Sequence, residues 1–337
     1  MLKGALIGVG HVARQGHLPE WSRRADIRLI AAADLRPEGQ AAFRAAYPET
    51  RWYSSAEELL SAEALDFVDV CTPPAQHAAI ARAALEKGCH VICEKPLAFS
   101  PEEIAPLAAL AGRRARALVT VHNWRYAPAL AKMTELVRGG AVERIQRVRW
   151  ETRRNRPAAA AGEEGNWRVD PAQSGGGILV DHGWHALYTL RDWLDGEPRA
   201  VAGRLETRKH RQFAIEDTAD VALDWGGARA EIFLTWAAES RANSVAIEGD
   251  RASLTLEGGR LALCEAGAPA QIWELPSLAE GSHHPEWFRG VVDEFLVEVR
   301  EPSLRGRNLG EAAAVARLIA LARESSRLGG EFVLVPP

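Results

Sequence analysis

The stretch that decides the fold is KGALIGVGHVA, residues 3–13. A short apolar run enters a turn carrying Gly8 and Gly10, and a helical segment follows at once. In such a turn Gly8 permits the tight bend, and Gly10 lets backbone amides approach a pyrophosphate at the helix N-terminus. Ala13 stands where helix and strand pack closely. Alone, the pattern is weak. It gains weight from Asp34, which closes a second apolar run, IRLIAAAD, about twenty residues on, where a carboxylate accepts hydrogen bonds from adenosine ribose hydroxyls. The plainer alternative is a glycine turn and a helix-capping aspartate in DLRPE. Asp34 repels a 2'-phosphate and so favours NAD, while Arg36 offsets part of that repulsion and keeps NADP as the second candidate.

Further along, FVDVCTPP, HVICEKP and ALVTVHN alternate with alanine-rich segments such as HAAIARAALEKG. Apolar strands alternating with helices argue for a doubly wound parallel sheet, a Rossmann arrangement. After His122 the rhythm changes. RIQRVRWETRR, ADVALDWG, ARAEIFLTWAAE, SVAIEGD and ASLTLEGG alternate apolar with polar residues between glycine turns, as strands of an open, largely antiparallel sheet do. Helical patterns near 286–299 and 310–327 and a last strand, EFVLVP, close the chain. The fold class is therefore α/β: an N-terminal Rossmann domain over 1–122 and a C-terminal substrate-binding and oligomerisation α/β domain over 123–337. Val221, Leu223, Ile232, Leu234 and Trp236 supply more apolar side chains than a helix layer is expected to cover. This predicts a sheet face hidden in a partner subunit, hence a homo-oligomer, a dimer or tetramer.

With 47% hydrophobic and 26% charged residues over 337 positions, the chain has the composition of a globular protein large enough for two domains. Its net charge of -4 gives no electrostatic case for nucleic acid or an anionic membrane as partner. MLKGALIGVG runs straight into a strand without a secretory signal, and no apolar run reaches bilayer length, so a cytoplasmic location is expected. Cys71, Cys89, Cys93 and Cys264 are too few for a disulfide framework. Three lie in predicted buried strands, and no CxxC or paired Cys/His spacing appears, so they read as core thiols and no metal is expected.

Five motifs follow one another in order: Gly-x-Gly-x-x-Ala; Cys71-Thr72-Pro73-Pro74 with His77; Glu94-Lys95-Pro96; Asn123-x-Arg125-Tyr126-x-Pro128; and GGGILVDHGWH. Together, over residues 1 to about 196, they resemble the glucose-fructose oxidoreductase, inositol dehydrogenase and MocA (Gfo/Idh/MocA) family. The resemblance implies an NAD(P)-dependent enzyme that moves hydride between nicotinamide and a hydroxyl or keto carbon of a sugar, cyclitol or related polyol. It implies cofactor contacts from Gly8, Gly10, His11, Val12, Asp34, Arg36, Thr72, Pro73, His77, Glu94, Lys95 and Asn123. Substrate contacts come from Lys95, Arg125, Tyr126, Trp167, Asp181 and His185, with Lys95, Asp181 and His185 as the catalytic set. Relatives with other outcomes keep two alternatives in view: an NAD-assisted glycoside hydrolase, and a non-catalytic ligand sensor that binds dinucleotide.

Chemistry accords with that set. A cation at the tip of an apolar strand, as Lys95 is, suits a dry cleft where oxygen-centred charge develops. Asp181 and His185 are one helical turn apart and share a face; His185 titrates in the range of a proton acceptor, and Asp181 holds either the substrate or the imidazole. Read without the resemblance, GWHAL is a core histidine on an amphipathic helix, and Asp181 a residue favoured by a helix N-terminus. One departure stands out: family members often carry an acid three positions after the histidine, and here that position is Tyr188. Trp124, Trp167 and Trp184 flank the motifs and suit stacking on a sugar ring or plain core packing. Arg153, Arg154, Arg156 and Arg168 suit an anion or a solvated strand end, and His283-His284 reads as a loop before a helix.

Overall fold

The structure is a computed structural model that describes residues 1–158, 166–281 and 283–336. The chain divides into two compact units, Met1–Asn123 with His283–Ala313 and Trp124–Ser282 with Ala314–Pro337.

The first unit holds β1 (Leu2–Ile7), β2 (Ile27–Ala33), β3 (Arg51–Tyr53), β4 (Phe67–Val70), β5 (His90–Cys93) and β6 (Leu118–Thr120). They form a parallel sheet in the order β3-β2-β1-β4-β5-β6. Every residue of β4 and β5 is buried, Asp69 and His90 included, as a sheet covered on both faces requires. The order reverses between β1 and β4, the switch point outside whose strand ends ligands bind in such sheets. Its helices include α1 (Leu18–Trp21), α2 (Glu38–Ala46), α3 (Ala56–Ala62), α4 (His77–Glu86) and α5 (Pro101–Arg114). Ser55 and Ser100 cap α3 and α5 by accepting the backbone N–H of Glu58 and Glu103. Here the Gly8 and Thr72 segments follow directly on β1 and β4.

The second unit carries α6 (Pro128–Arg138), α7 (Pro171–Ser174) and α8 (Trp184–Trp193) beside a nine-stranded sheet. Its strands are β7 (Ile145–Arg153), β8 (Ala200–Glu206), β9 (Thr218–Asp224), β10 (Arg229–Thr235), β11 (Ala242–Gly249), β12 (Ala252–Glu257), β13 (Arg260–Glu265), β14 (Gln271–Glu274) and β15 (Val333–Leu334). The order is β14-β13-β12-β11-β7-β10-β9-β8-β15, and β7–β10 is the parallel pair in an otherwise antiparallel sheet. Helix α9 (Pro285–Arg300) groups with the first unit, and α10 (Arg307–Arg327) is divided between the two. No helix among the described residues is long and apolar enough to cross a membrane.

The expected apolar sheet face awaiting a partner is not there. Val221, Leu223, Ile232, Leu234 and Trp236 are at most 3% exposed within the single chain. The chain itself covers this face: a Cβ on Gly183, in the segment leading into α8, would stand 3.1 Å from Leu234, and Trp150 of β7 packs between Trp124 and Trp193 at ring distances of 6.3 and 6.2 Å. The opposite face is polar, with Arg147–Glu231, Arg149–Glu248 and Arg153–Glu151 pairs at 2.6, 2.6 and 2.7 Å. The apolar ground for a homo-oligomer is thereby removed.

Candidate active site

In the first unit the loop after β1 is shaped for close approach. Gly8 has φ +88°, and a Cβ there would lie 2.6 Å from Thr72 N, so both conformation and space demand glycine. Gly10 differs: a Cβ on it would meet nothing nearer than an Arg36 Nη2 at 3.8 Å. The room at Gly10 is what a pyrophosphate needs. Asp34 is tied in place, one oxygen accepting Val9 N at 2.7 Å and the other Arg36 N at 2.8 Å, and the Arg36 guanidinium lies 3.9 Å from it. Thr72 Oγ1 is buried without a hydrogen-bond partner among the described residues. Open space at Gly10, a fixed carboxylate and an orphaned hydroxyl fit a dinucleotide. Val12 precedes a π-helical turn, Ala13–His17, and His11 meets the His283 ring edge-on at 4.4 Å.

Beneath the end of β5 lies a network the sequence did not advertise. His17, 2% exposed, stacks on Phe288 at 3.7 Å, with Nδ1 at 2.9 Å from Asp69 and Nε2 at 3.1 Å from Glu94. Asp69 also accepts Trp21 Nε1 at 2.7 Å, and Glu94 Oε2 accepts Lys95 N at 3.1 Å. Burial opposes a charged imidazole, but the charge and hydrogen bond of Asp69 outweigh it and hold the His17 pKa well above its ordinary value. Burial likewise opposes ionised Glu94, and His17, then Lys95 and His77, overcome it and lower its pKa. Asp69, His17 and Glu94 thus brace the loop from which Lys95 projects. Burial and Asp69 push the Cys71 thiol up, so it stays protonated while contacting His17 Nδ1 at 3.1 Å. His17, Asp69 and Cys71 place three donor atoms within 4.8 Å of one another, a set a metal ion also takes, and here they hydrogen-bond to each other.

Lys95 is half-buried, and the Lys95–Pro96 peptide is cis. His77, expected at the cofactor, is fully buried and bridges Pro96 O at 2.8 Å and Thr72 O at 2.7 Å. Burial lowers its pKa, so the neutral ring donates to one carbonyl at a time. Its side chain fastens the Thr72-Pro73 segment to the Lys95 loop instead of facing a ligand. Asn123 is half-buried in the turn Asn123–Tyr126.

In the second unit Leu179–Gly183 is a π-helical turn running into α8, so the simple α-helical spacing expected for Asp181 and His185 is interrupted. Asp181 Oδ2 lies 3.3 Å from His182 Nδ1. His185, 5% exposed, is stacked flat on Trp124 at 4.7 Å, and its Nδ1 is 3.1 Å from the Tyr188 hydroxyl. Tyr188 therefore stands where relatives often place an acid and supplies a hydrogen-bond partner without charge. Arg125 lies over the Tyr188 ring at 5.5 Å, and neighbouring Tyr126 is half-buried. Trp167 lies under Arg168 at 4.3 Å. Trp184 is core. The arginine group disperses: Arg153 pairs with Glu151 on the polar sheet face, Arg156 is exposed, and Arg154 alone turns inward.

A parallel Rossmann sheet with a glycine loop shaped for a dinucleotide, followed by a second α/β unit, defines a two-domain dinucleotide-binding protein. Residues 2–122 match the model described as "Oxidoreductase family, NAD-binding Rossmann fold", and residues 130–255 match the "GFO/IDH/MocA C-terminal domain". The chain belongs to the Gfo/Idh/MocA family, and its first domain is that family's NAD-binding fold. It is 31% identical over 188 residues to D-glucoside 3-dehydrogenase of Escherichia coli, covering 55% of this chain and 52% of the relative. It is 34% identical over 140 residues to D-apiose dehydrogenase of Paraburkholderia graminis, covering 42% and 37%. The chain thus spans about half or less of these relatives' lengths. An inositol dehydrogenase homolog from Azotobacter vinelandii, solved with NAD+, shares the fold at TM-score 0.84 and 21% identity over 99% of this chain and 97% of that one. An oxidoreductase domain protein from Kribbella flavida matches at TM-score 0.84 and 25% identity, over 100% and 99%.

Proposed function

We propose that the chain is an NAD-dependent oxidoreductase that moves hydride between nicotinamide and a CH–OH carbon of a sugar, cyclitol or related polyol. The observation that carries this reading is the posture of His185, a buried imidazole held flat by Trp124 and hydrogen-bonded at Nδ1 to Tyr188. In the tautomer whose Nδ1–H donates to the Tyr188 hydroxyl, the basic lone pair is on Nε2, which would then take the substrate hydroxyl proton. NAD, when bound, accepts the hydride at its nicotinamide. Lys95, braced from below by Glu94, supplies a positive charge for the developing alkoxide. Asp181 holds substrate hydroxyls, and Asp34 favours NAD over NADP. The names of the relatives, glucoside and apiose dehydrogenases, accord with a sugar substrate.

The test is a panel of sugars, polyols and glycosides incubated with the full chain and NAD or NADP, following NADH absorbance beside sugar release. NADH formation with at least one polyhydroxylated substrate, faster with NAD, is the expected result. Sugar release with no net NADH would favour the hydrolase, and dinucleotide binding without either product would favour the sensor.

A further inference from the structure

Asp181 sits in a turn that is held from outside its own helix. Residues 175–177, all glycine, lead into the π-helical turn Leu179–Gly183, and the amides at such a start have no partner within the helix. Glu216, 39 residues on from Gly177, supplies one. Its Oε1 accepts Gly177 N at 3.0 Å and Leu179 N at 3.2 Å, and its backbone carbonyl accepts Ile178 N at 3.2 Å. Three successive amides thus end on a single residue, which takes the helix-start role that the sequence leaves open for Asp181. The approach is close enough to require glycine, since a Cβ on Gly177 would stand 1.8 Å from Glu216 O. From there the tie runs straight to Asp181, whose backbone N donates to the Gly177 carbonyl at 3.1 Å.

Glu216 is itself firmly placed. Its neighbour Asp217 is buried and accepts the amides of Arg208, Lys209 and His210 at 2.8 Å each, while Trp236 N donates to the Asp217 carbonyl at 2.7 Å. Arg323 of α10 donates to the Gly175 carbonyl and so holds the glycine segment from a second side. Burial lowers the Arg323 pKa, and the charge of Glu216 acts in the opposite sense. π-Helical turns are rare, and they occur most often at functional sites. Here the carboxylate that fixes the entry to the turn comes from a different part of the sheet domain, so the place of Asp181 depends on a residue that the local sequence does not contain.

We propose that Glu216 is a positioning residue for the substrate: by fixing the entry to the Leu179–Gly183 turn, it sets where the Asp181 carboxylate stands. This rests on the reading of Asp181 as the residue that holds substrate hydroxyls. D-Glucose, myo-inositol and methyl β-D-glucoside are offered to the full chain with NAD, and the one turned over fastest serves as the probe. Glu216→Ala removes the side-chain acceptor of two amides and lowers kcat/KM about tenfold or more, the scale of a small displacement of a substrate-holding group. The loss falls on the same parameter, KM or kcat, as the loss in Asp181→Asn. Glu216→Gln keeps a carbonyl oxygen for both amides and retains kcat/KM within a few-fold. In the Asp181→Asn background Glu216→Ala costs little more, because a residue that acts through another then has nothing left to position. NADH affinity, measured alongside, is unaltered in each variant. Should Glu216→Ala not fold, Glu216→Asp, one methylene short of the two amides, carries the same comparison. Full activity of the folded truncation, or an equal loss in both backgrounds, would overturn the proposal, since a residue that only stabilises the fold acts independently of Asp181. Asp181→Asn with unaltered turnover removes the substrate role of Asp181 and the proposal with it. An impaired Asp181→Asn beside a fully active truncation at Glu216 removes the proposal alone.

Discussion

Asp69 sits under three donors, His17 Nδ1, Trp21 Nε1 and the Cys71 thiol, and it is fully buried. Its charge keeps His17 cationic, and His17 in turn keeps Glu94 ionised below Lys95. A raised histidine pKa adds stability that is complete below the ordinary value of about 6.5 and is lost as pH rises through the folded value. For Glu94, with a lowered pKa, the stability is complete above about 4.3 and lost as pH falls through the folded value. Asp69→Asn is therefore expected to cost about 3 kcal/mol at neutral pH, the scale for breaking a buried ion pair. That cost should shrink in alkaline solution, where the unaltered protein also loses its imidazolium. Urea melts over a pH series check this; a cost constant with pH would mean that His17 is neutral throughout. None of this was legible from the chain, because His17, Asp69 and Glu94 are 52 and 77 residues apart along it. Asp34 and Lys95 were legible, since each follows within two residues of the end of an apolar strand and needs no distant partner to stand out.

Among the elements, β8 and α10 approach closely. A Cβ at Gly203 of β8 would run into the Ala322 carbonyl, while Ser325 and Ser326 of α10 accept the backbone N–H of Gly203 and Leu205 at 2.9 Å each. Gly203→Ala is expected to destabilise by about 1–3 kcal/mol or more through overpacking, with both serine contacts strained. A thermal melt indistinguishable from the unaltered protein would show that helix and strand part at no cost. Strand alternation made the second sheet readable, because period-two patterns depend only on neighbours. The same alternation named the inner residues correctly and misjudged what covers them, since the packing of the Leu179–Gly183 turn onto β10 joins segments some distance apart in the chain. The π-helical turn at Leu179–Gly183 was also out of reach: its residues read as ordinary helix, and the extra residue per turn shows only in backbone geometry. Tyr188 was noticed as a departure and became intelligible once its hydroxyl was found on His185.

Over the whole molecule, the change of rhythm after His122 marks where the two-unit division falls in the first pass of the chain. The return of His283–Ala313 to the first unit carries no such mark, because an amphipathic helix such as α9 records that it has an apolar face and not which sheet receives it. The proposed function requires that Lys95, in the first unit, and His185, in the second, serve the same hydride transfer. Steady-state turnover of a verified substrate by Lys95→Ala, His185→Ala and the double variant, with NADH binding measured alongside, tests that claim most directly. Each single change is predicted to lower kcat by about a hundredfold or more with NADH affinity little altered, and the double to cost less than the two combined, as for groups acting as a unit. Turnover that survives Lys95→Ala within a few-fold would contradict the account and leave Lys95 a structural cation.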